Sequence, residues 1–321
     1  MSVQRLLSIP VLLVALVALP SHAASLAEVQ GMLDARNPAA LKAAEALTQA
    51  TPNDAGAWIA LARARLTAGK AEDAIDAAQK ATELAPKNAQ AFLWLGNAYG
   101  THIGEVGMLS KMTMAPKLRN AFEQAVKLDP TLIDAHNALV EYYLQAPSAI
   151  GGGVDKARAE AAVIVKYDRV RGYIAQAHIA AYEKNADQAI KAYEGAYALK
   201  PSDPQLRTTL IVAYQEAKRW ADASNAIRKW LGEEPGAGRP RYQMGRLAAV
   251  SGQYLAEGEA ALRAYLLQPH AKDEPQNKNA YYRLGQILAK AGRKDEARAN
   301  LLAALKLDPK YKEAKEALSD L

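Results

Sequence analysis

Phe92-Leu93-Trp94-Leu95-Gly96-Asn97-Ala98-Tyr99 is followed by Phe122, Ala125 and Pro130, and these residues decide the fold. Phe92, Leu95, Gly96 and Tyr99 recur at three, four and seven residues, the spacing of one helix face. Gly96 leaves that face without a side chain, so a second helix can approach it closely. Phe122 and Ala125 supply that second face, and Pro130 ends it, because the ring lacks a donor and clashes with the preceding turn. Tyr281-x2-Leu284-Gly285-x2-Leu288 is nearly the same helix, and Trp58-x2-Leu61-Ala62 a looser one. Ala74, Ala78, Ala81 and Pro86, and Ala297, Leu301, Ala304 and Pro309, repeat the small-residue close. Gly69 and Gly292 fall where the two helices must turn, a place that suits positive φ.

The prolines set the period. Pro52 to Pro86, Pro201 to Pro235 and Pro235 to Pro269 are each 34 residues apart. A helix, turn, helix and proline every 34 residues resembles the tetratricopeptide repeat (TPR) family. The resemblance runs over residues 55–309 and implies an all-α, right-handed superhelical solenoid of antiparallel helix pairs. With Arg169 as the stop of the third repeat, seven repeats fill the span from Pro52 to Pro309. Residues 24–54 read as an N-terminal partial repeat broken at Asn37-Pro38, and 310–321 as a polar capping helix. One pair cannot bury its own apolar face, so pairs must stack. The alanine-rich composition agrees, since alanine enters helices without loss of side-chain entropy.

Three repeats exceed the period. Residues 101–116 carry Ile103, Val106, Leu109 and three of the six methionines, Met108, Met112 and Met114. The expectation is a longer hairpin whose apolar side packs on the neighbouring repeat, with Met filling gaps. Residues 146–153 end in Gly151-Gly152-Gly153 and read as a structural loop; anion capture by free glycine amides is the alternative. No Lys-Ser/Thr pair follows the glycines, which excludes a nucleotide-binding P-loop. Residues 270–279 are polar and read as a solvated loop.

Residues 1–23 have the order of a secretory signal: Arg5, an apolar run from Leu6 to Leu19, then Ser21-His22-Ala23. Cleavage is expected after Ala23. That places the mature protein in the periplasm, with secretion as the alternative. The apolar run is short of the ~20 residues of a spanning helix, and no later stretch is long and apolar enough to cross a membrane. Loss of Arg5 brings the formal charge from +6 to +5, spread along the chain, and no basic run points to nucleic acid. The 321 residues contain no cysteine, which excludes disulfides, thiolate metal sites and a cysteine nucleophile.

Nothing points to catalysis. His102, His136, His178 and His270 lie in different repeats, without a His-Glu-x-x-His zinc motif or a Gly-x-Ser-x-Gly elbow. His136 opens a first helix and is expected in the core. No cofactor or metal site is expected. The resemblance instead implies a non-enzymatic scaffold that docks a protein or peptide in the groove lined by the first helices. It places the ligand-facing residues one, two and five positions after each large opening residue. These include Arg63, Leu93, Trp94, Asn97, Asn137, Glu141, His178, Tyr242, Gln243, Arg246, Tyr282, Arg283 and Gln286. The Lys-Asn pairing with which some relatives grip a terminal carboxylate is missing. A second reading is an adaptor for a small ligand or soft metal at the Met-rich insertion.

Overall fold

A computed structural model describes residues 24–321. The leader predicted over 1–23 lies outside the described residues. The chain divides after Leu128 into two compact units. The described residues contain helices and one 3-10 turn but no strand.

The first unit holds α1 (Leu26–Asp34), α2 (Ala40–Ala50), α3 (Ala55–Thr67), α4 (Ala71–Leu84), α5 (Ala89–Ile103) and α6 (Met108–Leu128). The second holds α7 (Ile133–Gln145), α8 (Val154–Tyr167), α9 (Arg169–Tyr182), α10 (Ala186–Leu199), α11 (Pro204–Glu216) and α12 (Trp220–Glu233). It continues with α13 (Gly238–Ser251), α14 (Leu255–Leu266), α15 (Asn277–Lys290), α16 (Lys294–Leu307) and α17 (Lys312–Ser319). Within each unit, helices pack mainly on their sequence neighbours, and first helices such as α3 and α5, or α13 and α15, also touch. This is the stacking of antiparallel helix pairs that the period implies.

Several helix starts have a local cause. Asp54, Asn88 and Asp203 stand two residues after Pro52, Pro86 and Pro201. Each accepts from a backbone N–H in the first turn of the next helix, at 2.8, 3.0 and 2.8 Å. The turns inside the pairs need positive φ, which Gly69, Gly252 and Gly292 adopt at 71°, 73° and 78°. Lys184 and Lys218 hold the same left-handed turn at 59° and 58° without that freedom.

The opening residue of the first helix has a second role that size alone does not suggest. Trp58 Nε1 donates to the Pro52 carbonyl at 2.8 Å, and Arg207 Nε to the Pro201 carbonyl at 2.6 Å. Arg241 Nη2 donates to the Pro235 carbonyl at 2.7 Å, and His136 Nε2 lies 3.0 Å from the Pro130 carbonyl. Each side chain reaches back six residues to the proline carbonyl in the turn that follows the preceding helix. The helix pairs are thus latched across the turn that joins them.

Four residues after the opening position, Ala62, Gly96, Ala177, Gly245 and Gly285 keep the pair close. A Cβ built on Gly96 would lie 2.4 Å from the Phe122 ring, and one on Gly245 2.2 Å from Leu262. In α11 the residue is Ile211, and across from it Trp230 stands where Ala81, Ala125, Ala196 and Ala304 stand in other second helices. Accordingly α11 and α12 form the least closely packed pair of the second unit. A cavity of about 370 Å³ opens beside them, with Tyr197, Leu210, Ile211, Tyr214 and Trp230 in its wall.

The three long connections differ from a uniform picture of loops. Met114 packs with Ala74, Ile75, Tyr99 and Leu118, as expected of an extended hairpin. Met108, Leu109 and Met112, however, lie in the first turns of α6 and are 75%, 82% and 56% exposed. In the glycine loop, Gly151, Gly152 and Gly153 donate their amides to Ser148, Pro147 and Tyr143. Tyr142 Oη donates to the Ile150 carbonyl at 2.6 Å, and a Cβ on Gly152 would strike the Ala146 carbonyl. The glycines serve close packing, and none of their three amides is left for an anion. Residues 270–279, read as solvated, are partly folded in. His270 stacks on Tyr265 with ring centroids 3.7 Å apart, and the Pro275 carbonyl accepts from Tyr265 Oη at 2.6 Å. The physical reason is Tyr265, a large side chain with a hydroxyl that must find a partner when buried.

Candidate functional site

The residues predicted to face a ligand fall into three groups. In the first unit, the Arg63 guanidinium lies 5.0 Å from the centroid of the Trp94 ring and bonds Asp34 at 2.9 Å. Asn97, one helical turn beyond Trp94, is half-buried on the same helix, whereas Leu93 turns into the core.

In the second unit, α7 and α9 bring Asn137, Glu141 and His178 to one cavity of about 190 Å³, together with Val140, Arg171, Ile174 and Ala175. Glu141 meets His178 Nδ1 at 2.9 Å, and this hydrogen bond holds its carboxyl below the usual glutamate value. Arg171 bonds Asp134 at 2.5 Å. With its carbonyl turned toward Arg171, the Asn137 amide accepts from Nε at 3.1 Å and Nη2 at 2.6 Å.

The third group lies on α13 and α15. Arg246 donates to the Gln215 side chain on α11. Arg283 Nη1 donates to Gln286 Oε1 at 2.9 Å, and Gln286 Nε2 to Tyr282 Oη at 2.8 Å. Arg283 also lies over the Tyr282 ring, which packs on Tyr311 at 5.3 Å. Tyr242 is buried, because Tyr265 covers its ring at 5.7 Å, and Gln243 is buried beside it. Both line a cavity of about 390 Å³ with Gln205, Thr208 and Arg239.

The sequence rule missed Asp134, Arg171, Arg239 and Gln205, each two residues before an opening position. Helical periodicity gives the signal: 134, 137 and 141, like 239, 242 and 246, are spaced three and then four residues apart, along one face. Thr208 follows from Tyr242 by subtracting one period.

Each of the four histidines among the described residues sits beside a glutamate rather than in a shared site. His102 is 3.4 Å from Glu105, His136 2.5 Å from Glu160, and His270 3.7 Å from Glu274. Among the described residues, no group of three His, Asp or Glu is placed to hold a metal. The three insertion methionines do not face one point, since Met114 is packed while Met108 and Met112 are exposed.

Family profiles described as tetratricopeptide repeat match residues 34–89 and 59–99, 180–249, and 279–311, together a little over half of the chain. Among solved structures, a tetratricopeptide repeat protein from Parabacteroides merdae is similar over 92% of this chain and 96% of its own. Its identity is 16% and its TM-score 0.54. A thermophilic TPR protein of Thermus thermophilus is similar over 59% of this chain and 97% of its own, with 20% identity and a TM-score of 0.52. At these identities the likeness is one of fold. Comparison with curated proteins finds no match. Among the described residues, no helix is long and apolar enough to cross a membrane.

Proposed function

The chain belongs to the tetratricopeptide repeat family, and from that premise we propose that it is a non-enzymatic scaffold docking a protein or peptide on its first helices. The observation that carries this reading is the stripe on α7, α9, α13 and α15. On α7 and α9, Glu141 meets His178 and Asn137 meets Arg171, and open cavities lie beside these residues and beside Tyr242 and Gln243 of α13. The stripe includes Arg and Tyr, residue types that anchor protein interfaces, beside Asn and Gln. Helices already in place hold these groups, so binding would order few of them. The cell envelope, periplasmic side, is the proposed location, and the leader-like residues 1–23 support it.

A crosslinking pull-down from an envelope extract tests the function. Partners captured by the native chain should be lost, or weakened about tenfold, when Trp94→Ala and Arg246→Ala are combined; this fold-change corresponds to about 1.4 kcal/mol. Unchanged capture of every partner would remove the reading. N-terminal sequencing of the periplasmic fraction should begin at Ala24.

A further inference from the structure

Ile211 and Trp230 stand where several other helix pairs carry Gly or Ala, and the cavity of about 370 Å³ opens beside them. Its size falls within the roughly 300–1,000 Å³ of small-molecule pockets. Three helices give it an aromatic and aliphatic wall: Tyr197 from α10, Leu210, Ile211 and Tyr214 from α11, and Trp230 from α12. No residue of the ligand-facing stripe lines it, so it is a separate place on the molecule. The wall also carries charges, and each is already engaged. Arg207 bonds Glu233 at 2.7 Å and Glu234 at 3.1 Å, and Lys229 lies 4.0 Å from Glu233. Asp222 bonds Arg219 at 2.6 Å, and Glu194 accepts from Tyr214 Oη at 2.7 Å. A cation also lies over each ring: Arg207 at 5.3 Å from the Trp230 centroid, Arg219 at 5.0 Å from that of Tyr214, and Lys229 at 5.9 Å from that of Tyr197. A charged guest would have to displace these partners or leave its own charge unpaired beside apolar walls. Asn225 differs from the other polar residues of the wall. It is neutral and exposed, and its amide bonds no other described residue.

We propose that this cavity is a binding site for a small, neutral aromatic molecule bearing one hydroxyl or carbonyl group. Its ring system packs against Tyr197, Tyr214 and Trp230, where apolar burial and ring-to-ring contact both favour it. Its polar group is met by the Asn225 amide, which can donate or accept. The engaged ion pairs select against a charged relative of the same shape. They do so by offering no free counter-charge, while the aromatic wall sets the preference for a ring over a chain. The site shares no residue with the proposed docking face, so either reading can fail without the other.

The test uses 2-naphthol, with 2-naphthoate and 2-(aminomethyl)naphthalene as its anionic and cationic counterparts at neutral pH. Trp58, Trp94 and Trp220 are replaced by Phe, which leaves Trp230 as the one indole of the four in the chain. Titration with 2-naphthol should change the Trp230 emission and saturate. Both charged counterparts should bind about tenfold more weakly or worse. Ala226, in the cavity wall, is then enlarged: Ala226→Phe should abolish the saturable change. Asn225→Leu, a change at an exposed position, is the second variant and should weaken 2-naphthol about fivefold. No saturable change with 2-naphthol overturns the site. A charged counterpart that binds as tightly overturns the neutral class, and decanol binding more tightly than 2-naphthol overturns the aromatic one. Binding unchanged in both Ala226→Phe and Asn225→Leu overturns the location.

Discussion

His136 Nδ1 lies 2.5 Å from the Glu160 carboxylate, while its Nε2 faces the Pro130 carbonyl at 3.0 Å. Both partners are acceptors, so both ring nitrogens must donate, and the imidazole is held as its cation. Burial alone would lower its pKa. The bonds to Glu160 and Pro130 outweigh burial, and the net shift is upward. A raised folded pKa contributes stability that is complete below the ordinary histidine value of about 6.5 and is lost as pH rises through the folded value. The melting temperature of the second unit should therefore fall on going from mildly acidic to alkaline buffer. His136→Leu should flatten that slope and cost about 1–3 kcal/mol in acid, measured by urea unfolding at several pH values.

The latch at Trp58 can be removed without changing much volume. Trp58→Phe keeps an aromatic ring but leaves the Pro52 carbonyl without its 2.8 Å donor. The expected loss is about 1 kcal/mol. Trp58→His, with a ring N–H in a smaller ring, should lose less if the donor rather than the bulk matters. Equal losses in urea titrations would show that bulk decides.

Close helix approach separates two glycines of opposite sign. Gly245→Ala places a methyl 2.2 Å from the buried Leu262 side chain and should cost about 1–3 kcal/mol. Gly31 is exposed inside α1 with nothing within 4 Å of its absent Cβ, so Gly31→Ala should gain about 0.5–1 kcal/mol. Thermal melts of the two variants should move in opposite directions.

Lys218 carries the left-handed turn between α11 and α12 at a φ of 58°, where α13–α14 uses Gly252 at 73°. Lys218→Gly should stabilise the chain by about 1 kcal/mol, and Gly252→Lys should cost a similar amount. A decrease in melting temperature for Lys218→Gly would mean that the lysine side chain contributes more than its backbone strain removes.

Most of the helix stacking was legible because its determinants are local. The prolines, the caps two residues after them and the small residues at Gly96 and Gly285 act within one repeat or between adjacent ones. The candidate face was legible in part. Asn137, Glu141 and His178 meet because a fixed position on successive first helices points the same way. Tyr242 was misjudged as open, because Tyr265 from the following helix covers it and the family pattern expects a small residue there. The fate of 270–279 escaped for the same reason: a polar stretch says nothing of an aromatic ring waiting beneath it. The exposure of Met108, Leu109 and Met112 escaped because composition cannot tell which side chains of an extended hairpin find a neighbour.

Ile211 and Trp230 hold α11 and α12 farther apart than the pairs on either side, and both side chains are buried. An array held only by adjacent contacts has no distant strap to reset its geometry. A wider pair therefore displaces each repeat that follows it in the second unit, so two bulky side chains set the local pitch of the array.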